Sequence, residues 1–297
     1  MGPVGAECLR DAQCFTLSEG LAHIATSSAA EGFISELNLM SGAYLVKGMA
    51  PMAFDASIVS SHVRIVGATR TVIRGGEASV FTVGAGSPKV ELLGLHFSAF
   101  STRPAITVLG GEVLIQNCTF EANAMSALHI EGGHVRVVDS RFIGNGGGAL
   151  HGGAIKATGG HLSIVRCELE GNQARVDGGA LYAQGKSVVL VENSRLHSNS
   201  ASQRGGAICT VGTVEMVLAN QTMLRGNVAG SGNSVFLDAS VAYSAYVLPA
   251  PRGHWVAHAK LSWRPGFEGA FAFRMLTGAL DDGECSTSSR FMLSPAP

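Results

Sequence analysis

The chain has 297 residues, 46% hydrophobic and 14% charged, with 39 glycines and a net charge of −1. A balance this near neutrality, without a long run of either sign, gives no ground for a nucleic-acid partner or an anionic membrane surface. No apolar run reaches the roughly 18 residues of a membrane span, and low charge with abundant glycine suits a solenoid with many tight corners.

Residues 1–32 read as a lead-in with a capping helix. Met1 to Arg10 lacks the basic start and apolar core of a signal peptide. Cys8 and Cys14 can close a small loop disulfide, and their redox state is left open. Thr16 and Glu19 have capping-box spacing, with Leu17, Leu21, Ile24 and Ala25 following at helical spacing. This predicts a short helix over 16–29 that covers the open end of a core. Further on, Ala78 to Val83 and Val90 to Phe97 make an irregular coil. Phe100 then stands where a corner Asn is expected and reads as an apolar plug.

From Ala105 to Asp238 one phrase repeats. Its first half is Gly-Gly-Ala plus an aliphatic residue: Gly152 to Ile155, Gly178 to Leu181 and Gly205 to Ile208. Its second half is a small residue, an apolar residue two positions later and an Asn three further on. The small residues are Cys118, Ser140, Cys167, Ser194 and Thr222; the Asn residues are Asn123, Asn145, Asn172, Asn199 and Asn227. A near-fixed period of this size means a solenoid.

Each repeat contains two strand-like runs, such as Ile155-Lys-Ala157 and Leu162-Ser-Ile164, and no helical pattern lies between them. Strands that recur without crossover helices pair in parallel with their equivalents one coil away. The predicted fold is therefore all-β, a right-handed parallel β-helix with coils about 4.8 Å apart. Equivalent residues then form columns. Stacked Asn amides can bond to one another and to turn backbone, and Asn tolerates left-handed backbone at a corner. The Gly-Gly pairs mark the other corner. Cys118 and Cys167 share a column but lie two coils apart, too far for a disulfide, and read as small core residues.

The Gly-Gly-Ala-Ile and Phe-x-x-Asn phrases, the latter at Phe120/Asn123 and Phe142/Asn145, resemble the repeats of polymorphic outer-membrane proteins. More widely, they resemble the pectin-lyase-like right-handed β-helix superfamily. Ile34 to Leu39, Gly42 to Tyr44, Val63 to Gly67 and Thr71 to Gly75 resemble the opening strands of that superfamily. The resemblance starts the β-helix near residue 33 and the repeat stops after Asp238, which gives a β-helix over 33–240. Residues 241–297, where no clear period remains, read as a C-terminal cap and partly disordered tail. Within that tail, Val247 to Val256 resembles a segment that follows such repeats in large surface proteins.

A site on a solenoid should appear as a polar column. His129, Lys156 and Tyr182 form the outward column of the first run, with Glu131, Thr158 and Gln184 two residues on. His151, Asp177 and Arg204 align at the neighbouring corner. A lyase needs a base and a cation that neutralises a uronate, and these residue types supply both. Two carboxylates at hydrolase spacing are missing from these columns. Arg141, Glu168 and Arg195 read as a surface salt-bridge ladder. His134 and His161 stack above Glu112, with no fourth metal ligand in sight. Asn117-Cys-Thr and Asn220-Gln-Thr are glycosylation sequons if the chain is secreted.

The outward column Thr107, His129, Lys156, Tyr182 and Cys209 shares no chemistry, while the repeat's corner and core residues stay strict. The expected function is a non-catalytic structural or interaction module, adhesin-like or a spacer, within a larger surface protein. The alternative is a polysaccharide lyase or glycan-binding β-helix. No cofactor or metal is expected. The expected partners are a glycan or another protein, and the oligomeric state is left open. The repeat type implies an extracellular or cell-surface location, although this chain shows no signal peptide.

Overall fold

A computed structural model describes residues 34–46, 48–55 and 62–238, with short pieces at 7–8, 14–15, 17, 19–20, 244–247, 261–262 and 272–275. The described chain is a right-handed parallel β-solenoid of about 7 turns. Three long sheets of nine, ten and eight strands run its length, each built by stacking equivalent strands of successive coils. In one coil, Ile155–Ala157 belongs to the first sheet, Gly160–Val165 to the second and Glu168–Glu170 to the third. Every pair in these sheets is parallel and in the register the repeat dictates: Ile155 faces Leu181, Leu162 faces Val189 and Leu169 faces Leu196.

The third sheet departs from the expectation of two strands per repeat. Within the repeats its strands are the short segments before each Asn, including Thr119–Glu121 and Arg141–Ile143. Each of these carries a single inward residue, so it reads as part of the Asn corner rather than as a third run. The aliphatic residues of the first run and the apolar residue before each Asn point inward. Phe120, Phe142, Leu169 and Leu196 are fully buried, and so are Ile106, Leu128, Ile155, Leu181 and Ile208. Phe97, Phe120 and Phe142 stack inside the third sheet, with ring centroids 4.8 and 4.6 Å apart. Such stacking follows from placing identical side chains one coil apart.

Two corners hold the coil's shape. At one, the Asn residues form a continuous ladder: Asn123 Nδ2 donates to Asn145 Oδ1, Asn145 to Asn172, Asn172 to Asn199 and Asn199 to Asn227, at 2.7–3.0 Å. The left-handed residue is not the Asn but the one before it: Ala122, Gly144, Gly171, Ser198 and Gly226 all have φ between 52° and 62°. The Asn amide instead satisfies the backbone groups this bend leaves unpaired. Phe100 ends the column as a buried plug, and its N–H donates to Asn123 Oδ1. At the Gly-Gly corner, Gly178 needs its positive φ of 65°. Gly179 is needed for closeness: a Cβ there would lie 2.1 Å from the Gly206 carbonyl oxygen.

Cys118 and Cys167 are buried and unbridged, and burial raises their thiols to about 12 and about 11. Of the predicted helix over 16–29, only Leu17, Glu19 and Gly20 are described; they are helical, and Leu17 is buried in the core. The rest of that helix lies outside the described residues, as does most of 241–297. Cys8 and Cys14 are backbone partners across a short antiparallel pair. Past Asp238, the strands Ser244–Val247, Leu261–Ser262 and Ala272–Met275 continue the parallel pairing. No helix among the described residues is long and apolar enough to cross a membrane.

Candidate functional site

Register brings the two candidate columns together on the outside of the first sheet. Thr107, His129, Lys156, Tyr182 and Cys209 are consecutive neighbours across five coils. Beside them, His151, Asp177 and Arg204 pair through single parallel bridges at the Gly-Gly corner. The corner chain folds over the sheet, so His151 and Arg204 each cover an outward residue of the next coil. The His151 ring stacks on Tyr182 at 4.6 Å, and the Arg204 guanidinium lies 5.2 Å from the Phe236 ring centroid. Tyr182, Cys209 and Phe236 thereby form a small buried cluster outside the main core.

Asp177 is completely buried. Arg204 grips it with two hydrogen bonds, Nε to Oδ1 at 2.9 Å and Nη2 to Oδ2 at 2.7 Å. That fork-on-carboxylate geometry is the strong form of the pair. His151 Nδ1 stands 3.4 Å from the same carboxylate, without a hydrogen-bond partner. Burial is the main cause holding the His151 imidazole below its ordinary value; Asp177 pulls the other way, and Lys156 and Arg204 add to the lowering. The His129 imidazole is also held low, by burial first and the Lys156 charge second. Its Nε2 has no hydrogen-bond partner, and its Nδ1 is 3.7 Å from Glu131. The Tyr182 hydroxyl meets Gln184 Oε1 at 2.9 Å. All six candidates are thus neighbours. Asp177, Arg204 and Tyr182 are engaged in holding the corner down; Asp177 and Tyr182 are buried, while Arg204, Lys156 and the two imidazoles are partly exposed.

The other columns resolve differently. Arg141 pairs with Glu168 at 2.9 Å, but the other Glu168 oxygen turns to His197 at 3.3 Å, not to Arg195. His197 sits two residues further along than Arg195, where its ring reaches diagonally across the sheet. His134 and His161 stack at 4.5 Å as expected. Glu112, however, ion-pairs with Lys89 at 3.4 Å. Two left-handed residues between second and third strands form an ion pair that sequence reading missed: Arg166 clamps Asp139 with bonds of 2.7 and 2.8 Å. Also missed was the company of Glu168, namely Glu170 and His197. The available signal was that His197 follows Glu170 by one repeat.

No family model matches the chain, and no curated protein or solved structure is significantly similar to it.

Proposed function

We propose that this chain is a non-catalytic interaction or spacer module of a larger surface protein. In this reading its repeats belong with the pectin-lyase-like β-helices that carry polymorphic outer-membrane-protein-like phrases. The observation that carries it is the state of Asp177. The one acid at the centre of the first-sheet cluster is fully buried and gripped by both nitrogens of the Arg204 fork. A carboxylate spent on an internal pair is not available to a substrate. Tyr182, the natural proton donor of the cluster, is 5% exposed beneath His151.

A second reading rests on Lys156, His129 and His151. Two partly exposed imidazoles stand beside a partly exposed cation, which suits an anionic glycan held without turnover, or a lyase. Purified chain incubated with polygalacturonate, alginate and glycosaminoglycans separates these outcomes through unsaturated-product absorbance and a binding titration. The scaffold reading expects neither product nor saturable binding. Turnover abolished by Lys156→Ala with folding intact would overturn it in favour of a lyase. Binding without product, lost in the same variant, would replace it with a lectin-like module.

A further inference from the structure

On the outer face of the third sheet, three metal-binding side chains converge from two neighbouring coils. Glu168 and Glu170 leave one strand two residues apart, hence on the same side. His197 lies on the next coil, in register with Glu170. One ligand atom from each falls within 4.8 Å of both others. His197 Nε2 stands 3.3 Å from Glu168 Oε1, and Nδ1 stands 3.9 Å from Glu170 Oε1. From the preceding coil, Arg141 bonds the remaining Glu168 oxygen at 2.9 Å. That contact fixes the orientation of the carboxylate, as outer partners do for ligating carboxylates.

We propose that Glu168, Glu170 and His197 bind a divalent transition ion of the zinc type. Two carboxylate oxygens and one imidazole nitrogen form a borderline donor set. Three protein ligands with a fourth position open to water are a common zinc arrangement. Calcium, which takes about 6–8 oxygen donors, is excluded by the imidazole and the small ligand number. Two carboxylates neutralise the ion's charge, which offsets the adverse field of Arg141. Without metal, the same carboxylates are bridged by the imidazole. The ion replaces that bridge with shorter, directional bonds while the strands stay fixed. This site lies on a different sheet from Lys156 and Asp177, so it stands independently of the proposed function.

Zinc chloride titrated into the full chain by calorimetry tests it. The expected result is saturable binding at one site. His197→Ala and Glu170→Gln should each weaken it by at least the roughly tenfold loss typical of removing even an outer partner. His134→Ala, which disrupts the stacked pair on the second sheet, should leave it unchanged. Glu170 and His197 are partly exposed, and matching circular dichroism of the variants verifies that they fold. Three results would each overturn the proposal: no saturable binding, binding that survives both site variants, or binding lost in His134→Ala.

Discussion

Asn172 shows how much one side chain does in this fold. Its Oδ1 accepts from the backbone and side-chain nitrogens of Asn145, and its Nδ2 donates to Asn199 Oδ1 and the Phe142 carbonyl. Asn123, at the end of the ladder, makes three such bonds, one of them stretched to 3.3 Å. Asn172→Ala should therefore cost about 1–3 kcal/mol through unpaired buried groups, and Asn123→Ala less. Denaturant titration of both variants checks this; equal, negligible losses would remove the ladder from the account. Thr210 is the opposite case. It occupies the inward column of Ala157 and Ala183, fully buried, and its hydroxyl has no hydrogen-bond partner among the described residues. Thr210→Val keeps the shape and removes the orphan, so it should raise stability by roughly 1–2 kcal/mol, read as a higher unfolding midpoint at unchanged slope. The Asn column was legible in the sequence because every coil must solve the same corner with the same group. The Thr210 orphan was legible only as an odd member of an aliphatic column, since its missing partner is a fact of geometry.

At the scale of the element, the corners separate two uses of glycine. Gly144 has φ 60°, but nothing lies within 4 Å of where a Cβ would stand, and Ala122 and Ser198 occupy the same column. Gly144→Ala should cost only about 1 kcal/mol of backbone strain. Gly179 has no such freedom, because its Cβ would strike the Gly206 and Ser200 carbonyl oxygens. Gly179→Ala must push two coils apart and should cost at least about 3 kcal/mol, near the upper end for single substitutions. Thermal melts of the pair give the comparison, and similar losses would contradict the close-approach role. The Gly-Gly corners and the strand faces could be read in advance, because each recurs with a fixed spacing. The third-sheet strands within the repeats could not: each carries one inward apolar residue beside the corner Asn, so the segment reads as part of the corner, and only the coil as a whole shows that it pairs.

For the whole molecule, stacking makes each outward residue the neighbour of residues one repeat before and after it. That rule let His129, Lys156, Tyr182, His151, Asp177 and Arg204 be placed together from sequence. It said nothing about which of them the corner chain would cover. Coverage depends on how the corner folds over the sheet, seen in His151 on Tyr182 and Arg204 against Phe236. The central claim is that the polar cluster so formed serves the scaffold. Groups kept for chemistry tend to be neutral or costly for stability, so their removal leaves it intact or improves it; groups kept for structure do the reverse. Equilibrium unfolding of Asp177→Asn measures this difference directly. The account predicts a loss of about 1.5–3 kcal/mol from breaking charge-assisted bonds to a buried carboxylate. An unchanged or raised unfolding midpoint would contradict it.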